Sequence, residues 1–181
     1  DKKHELKTRA HENNIPLHNL KLTFLPPILG QSSILTEQDQ DIRSLKQLII
    51  YGLKGVAAYT SHAQRLGYED NAIYSNLEEA LSFTRKKETS KEQLLNWVKG
   101  VGELGIKAMH LLDKASTITF GHPENTKVET NVGNRPGILV TGHDLQDLKE
   151  LLEQTQDKQI DVYTHGEMLP AHYYPYFKKY P

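Results

Sequence analysis

The sequence predicts an α + α/β chain: an antiparallel three-helix bundle followed by the first βαβ part of a parallel, Rossmann-like sheet. Three observations predict it. Apolar residues recur at helical spacing through three successive segments beginning at Asp41. Short polar turns separate those segments. After GHPENTK (121–127) the pattern becomes apolar run, amphipathic segment, apolar run, which is the order of a βαβ unit. The expected division is an irregular connector from a preceding helical segment over 1–40, a bundle over 41–118, and the truncated opening of an α/β domain over 119–181.

Each element has its own local reason. Residues 1–38 are the least regular, with a polar helix end over 5–12, and FLPPILG (24–30) blocks regular continuation with two prolines and a glycine. In the first helix Ile42, Leu45, Ile49, Leu53 and Val56 share one face, and Gly67 suits a left-handed C-terminal cap. Asn71 is placed to cap a second helix carrying Ile73, Leu77 and Leu81. SKEQ (90–93) reads as a capping box, opening a helix with Leu94, Val98, Val101, Leu104, Ala108 and Leu111 on its core side. Gly100, Gly102 and Gly105 weaken that helix, so a close backbone approach is expected there. PGILVTG (136–142) reads as a strand buried on both faces. Leu145, Leu148, Leu151 and Leu152 follow at helical spacing behind a capping Asp144, and QIDVYT (159–164) is the second, parallel strand.

Composition narrows the function. The 181 residues are 37% apolar and 25% charged, a globular mixture, and the net charge of −1 gives no electrostatic case for nucleic acid or an anionic membrane. No apolar run approaches the ~20 residues of a membrane span, and no signal peptide opens the chain, so the expected place is the cytoplasm. There is no cysteine, which excludes disulfides, thiolate ligands and a cysteine nucleophile within the segment. The chain starts without Met and stops at KKYP, and it reads as an internal excerpt.

The stretch DVYTHGEML (161–169) poses the functional question, because it sets a glutamate directly after a strand. In a βαβ unit His143 and Glu167 both stand just past the carboxyl ends of their strands, where open α/β sheets bind ligands. An imidazole and a carboxylate form a mixed donor pair for iron or zinc, and equally an acid/base pair. Gly142 and Gly166 would let the backbone turn sharply and aim both side chains inward. The plainer alternative has His143 opening a helix beside Asp144 and Glu167 complementing a helix N-terminus. His165 and His172 could compete as ligands, although His165 lies in the strand exit, where it could face the other side. His122 and His62 read as surface or packing residues. The tyrosines of HYYPYFKKY read as packing for a short helix, with Lys178 and Lys179 solvated.

LIIYGLKGVAAYTSHAQRLGYED (48–70), KAMHLLDKASTITFGHP (107–123), GILVTGHDLQDLKELLEQT (137–155) and DVYTHGEMLPAHYYPYFKKYP (161–181) closely resemble the hybrid cluster protein family, also called the prismane or hydroxylamine reductase family. GHDL and THGEMLPA, in this order and spacing, are specific to it. The resemblance implies an iron–sulfur oxidoreductase whose helical domain is followed by α/β domains. It implies a 4Fe-4S cluster held by cysteines outside this segment, and a hybrid 4Fe-2O-2S cluster that reduces hydroxylamine to ammonia and is linked to nitric oxide. In that family the histidine of GHD and the glutamate of THGEM bind the hybrid cluster; here they are His143 and Glu167. Electrons would come from a donor the sequence does not identify. The family's other ligands, cysteines and a further glutamate, are not identifiable in this chain. Two other readings stand beside it: a fragment related to carbon monoxide dehydrogenase, and a metal-free structural or partner-binding α/β module.

Overall fold

The structure is a computed structural model that describes residues 34–180. The expected connector features over 1–33 lie outside the described residues. Contacts divide the chain after Thr36, and Glu37–Pro181 is one compact unit.

Three helices open that unit: α1 (Gln40–Arg65), α2 (Asn71–Thr84) and α3 (Lys91–Phe120). Asp39 caps α1, its carboxylate accepting from the backbone N–H groups of Asp41 and Ile42. The far end closes as expected at Gly67, whose φ of 86° lets its N–H reach the Gln64 carbonyl while Tyr68 N–H reaches that of Ala63. The cap of α2 is one residue earlier than the sequence suggested. Asp70 holds the extended backbone and accepts from Ala72 N–H, so Asn71 is already in the helix. The capping box of α3 forms, with Ser90 and Gln93 each accepting from the other's backbone N–H.

The helices run up, down and up. Lys91 at the start of α3 therefore pairs with Asp39 and Asp41 at the start of α1. Ile49, Leu53 and Val56 of α1 pack with Leu94, Val101, Leu104 and Ala108 of α3, and α2 adds Ile73, Ala80 and Phe83. Leu81 does not join them; it is 46% exposed. The buried face of α2 leans toward Phe83, whose ring meets Trp97 at 5.2 Å, and this leaves Leu81 at the opposite edge. The glycine expectation also fails. A Cβ at Gly100, Gly102 or Gly105 would meet nothing within 4 Å, whereas at Gly52 it would lie 2.6 Å from Val101 Cγ1. The close approach is made by α1, not at the glycines of α3.

Beyond the bundle come β1 (Gly137–Val140), α4 (Leu145–Thr155) and β2 (Asp161–Thr164), then two 3-10 helices, Gly166–Tyr173 and Pro175–Lys179. The strands are parallel, in the register Gly137↔Asp161 to Val140↔Thr164. Contrary to expectation, β1 is not buried on both faces. Val140 and Val162 pack toward α4 in a second core, but Leu139 on the other face is 68% exposed. The described sheet has two strands and is covered on one side, so alternate residues of β1 face solvent. The helix expected over HYYPYFKKY forms as 3-10 turns. Its aromatic rings gather on Phe120 at the end of α3, with centroids of Phe177, Tyr176 and Tyr174 at 5.0, 5.5 and 6.0 Å. Phe120 thereby ties the bundle to the α/β part.

Among the described residues no helix is long and apolar enough to cross a membrane.

Candidate metal centre at the strand ends

The register fixes where the two predicted residues fall. Paired positions of β1 and β2 differ by 24 (161 − 137), and so do His143 and Glu167 (167 − 143). Each stands three positions past the end of its strand, so parallel pairing sets them side by side at one rim. His143 Nε2 and Glu167 Oε2 are 2.9 Å apart.

Local structure aims each side chain. Gly142 has φ of 109°, a backbone that turns the chain off β1 and that other residues rarely adopt. Asp144 follows and caps α4, one carboxylate oxygen accepting from the N–H groups of Gln146 and Asp147. Its other oxygen accepts from Arg65 at 2.7 Å, and the same guanidinium also binds Asp147. These two partners, Asp147 through its hydrogen bond first and Asp144 by charge second, raise the Arg65 pKa. Arg65 thus clamps the residue next to His143 onto the end of α1. On the other side Met168 and Ala171 are buried at 3% and 2% exposure, which turns Glu167 outward. Gly166 does not act as expected: its backbone is not left-handed, and the turn is made by the 3-10 helix itself.

Both side chains are open, His143 at 57% and Glu167 at 75% exposure. The carboxylate after the strand is therefore not buried, and its position carries no desolvation cost to explain. It borders a cleft of about 390 Å³ whose lining includes Tyr59, His62, Met109, His143, Glu167 and Tyr174.

His165 corrects the sequence reading. It does not face away: its Nε2 lies 3.9 Å from Glu167 Oε2 and its ring centroid 5.4 Å from that of His143. The backbone explains this, because His165 N–H still bonds the Val140 carbonyl at 3.0 Å and holds the residue beside the end of β1. His143, His165 and Glu167 form a cluster with one candidate ligand atom from each within 4.8 Å of the others. His172 turns elsewhere, its Nε2 2.8 Å from Thr164 Oγ1, and burial pushes its pKa down. His122 is exposed, and His62 is a half-buried wall of the cleft. Sequence reasoning leaves the facing of His165 open and does not reach the Arg65 clamp; the signals for them are the continued strand pairing and the acidic start of α4.

A helical bundle leads into the start of a parallel α/β unit, and its nitrogen and oxygen donors stand at the strand ends, where open α/β sheets bind ligands. The chain belongs to the Prismane/CO dehydrogenase family, whose sequence profile matches residues 29–181. It is 58% identical over 147 residues to the hydroxylamine reductase of Porphyromonas gingivalis, covering 81% of this chain and 27% of that protein. It is 56% identical over 147 residues to that of Parabacteroides distasonis, with the same two coverages. With the hydroxylamine reductase of Desulfitobacterium hafniense it shares 54% identity over 151 residues, 83% of this chain and 28% of that protein. The chain thus spans little more than a quarter of the length of the curated relatives it matches.

Proposed function

We propose that this chain is the part of an iron–sulfur oxidoreductase that supplies His143 and Glu167 as ligands of a hybrid 4Fe-2O-2S cluster. The parent would reduce hydroxylamine to ammonia and water, with nitric oxide as a related substrate. In this reading residues 41–118 belong to the helical domain and 119–181 open the first α/β domain. A 4Fe-4S cluster with ligands elsewhere in the parent would pass on electrons from a donor yet to be identified.

One observation carries the reading: the two residues singled out by the family motifs are brought into contact at the strand ends, 2.9 Å apart. The names of the relatives support the reaction. The donor types suit the group, since a carboxylate oxygen favours the harder, oxygen-bridged part of such a cluster and an imidazole favours a single differentiated iron. With no cysteine the chain offers only part of a ligand set. When bound, the cluster supplies electrons and an iron position open to substrate. His143 and Glu167 would hold it at the rim, and the Arg65–Asp144 ion pair fixes the backbone position next to His143.

The test uses the full-length parent. Glu167→Gln replaces an anionic oxygen with a weak neutral donor at constant shape, and His143→Ala removes the nitrogen. Each should alter the hybrid cluster's paramagnetic resonance spectrum and sharply lower hydroxylamine reduction while the 4Fe-4S signal persists. His172→Ala, outside the rim, should keep most activity. Unchanged cluster spectra and turnover in both ligand variants would reject the proposal.

A further inference from the structure

We propose that Arg65 is a positioning residue for His143: its two-pronged ion pair across the start of α4 sets where the loop between β1 and α4 presents the imidazole to the cleft. The inference rests on the cluster reading above and adds to it a residue outside both family motifs. Arg65 belongs to the helical bundle, in the last turn of α1, whereas His143 belongs to the α/β part. The ion pair therefore crosses from one wall of the cleft to the other, since α1 also supplies Tyr59, His62 and Leu66 to its lining.

The loop has few other constraints. Strand pairing holds it as far as Val140, whose carbonyl accepts from His165 N–H. Beyond that point Gly142 takes a φ of 109°, and a Cβ there would meet nothing within 4 Å, so no packing fixes the turn. Among the described residues neither Gly142 nor His143 makes a backbone hydrogen bond. The next fixed point is Asp144. One of its oxygens caps α4 through the N–H groups of Gln146 and Asp147, which ties it only to its own helix. The other accepts from Arg65 at 2.7 Å and ties it to the bundle. The Asp144 side chain is 12% exposed, so this bond is little screened, and its loss would leave a carboxylate away from water without its counter-charge. The second prong reaches the exposed Asp147 and serves mainly to orient the planar guanidinium. Arg65 thus acts on His143 through the adjacent residue, as an outer partner acts on a metal ligand.

The experiment uses the full-length parent and reads the hybrid cluster's paramagnetic resonance spectrum, the iron content and hydroxylamine turnover, with the 4Fe-4S signal as the check on folding. Arg65→Gln should shift the hybrid-cluster spectrum and lower turnover by about tenfold to a hundredfold, the range for disturbing the outer partner of a metal ligand. Arg65→Lys keeps the charge but not the fork, so it should recover part of both. Asp144→Asn keeps the cap and removes the counter-charge. It should reproduce Arg65→Gln, and combining the two should cost no more than either alone. Lys178→Gln, which breaks a pair with Glu124 outside the cleft, should change nothing. Should Arg65→Gln lose the 4Fe-4S signal as well, Arg65→Lys and Asp144→Asn decide the matter. If Arg65→Gln and Asp144→Asn leave spectrum and turnover as they are while His143→Ala alters them, the positioning role is wrong and the cluster reading stands. Losses in the two variants that simply add would equally overturn the role. A native spectrum in His143→Ala would reject the cluster reading itself, and the positioning role with it.

Discussion

Gly52→Ala tests the packing that carries the bundle. In an exposed helix the change should stabilise by about 0.5–1 kcal/mol, because alanine restricts the unfolded chain and favours the helix. At Gly52 the new Cβ would sit 2.6 Å from Val101 Cγ1, where carbon atoms in contact keep roughly 3.5–4.0 Å. An overlap of about 1 Å cannot be relieved cheaply. Val101 is 6% exposed within the core, and its branched side chain has one strongly preferred rotamer in a helix. Overpacking of this kind costs about 1–3 kcal/mol, so the net expectation is a loss of about 1–2 kcal/mol. Urea denaturation followed by circular dichroism reads it as a lower midpoint at unchanged slope. Gly102→Ala, with nothing within 4 Å, is the matched comparison and should be neutral or stabilising. Adding Val101→Ala to Gly52→Ala should relieve part of the clash, so the double variant loses less stability than the two single changes added together. If Gly52→Ala stabilises as much as Gly102→Ala, the close approach of α1 to α3 is wrong.

Leu53→Ala and Leu104→Ala each empty a site that is 4% exposed, and each should cost about 2–5 kcal/mol in the same denaturation assay. His172 gives a pH dependence whose sign follows from burial. Its folded pKa lies below the ordinary 6.5, so the unfolded chain takes up the proton first. Its contribution is therefore undiminished above pH 6.5 and is lost as pH falls through and below that value. His172→Gln, which can still bond Thr164, should flatten the stability profile as pH falls through and below about 6.5; an unchanged acid slope would mean that His172 ionises as freely in the folded chain as in the unfolded one.

Periodicity made most of the bundle legible, because Ile49, Leu53, Val56, Leu94, Val101 and Leu104 repeat at the spacing that a buried helix face demands. Where the sequence misled, the missing information was always a neighbour. Leu81 and Phe83 are equally apolar, and only the partner Trp97 decides which of them turns inward. A glycine says that a side chain is absent, not whether anything fills the space, so the three glycines of α3 drew attention that belonged to Gly52. The continuous apolar run of β1 implied two covered faces, but the chain as described covers one. At the rim, strand-end logic found His143 and Glu167. It names His165 only as a competing ligand that could face the other side, because alternation predicts facing only while a strand stays regular. The 3-10 turn that begins at Gly166 brings Glu167 back toward His165, two positions earlier.

The matched register has a consequence for how such rims are recognised. The separation between His143 and Glu167 equals the ladder offset, so what fixes their contact is the count of three residues past each strand end. The crossover through α4 only has to return the chain to the sheet. Lengthening or shortening it by a turn would change the spacing in sequence and leave the two donors facing each other. Conversely, a one-residue slip of β2 against β1 would keep the spacing and separate the pair by a full strand step of about 3.3 Å. A search for this chemistry in other parallel sheets should therefore count outward from paired strand ends, since any fixed interval between the histidine and the glutamate is incidental.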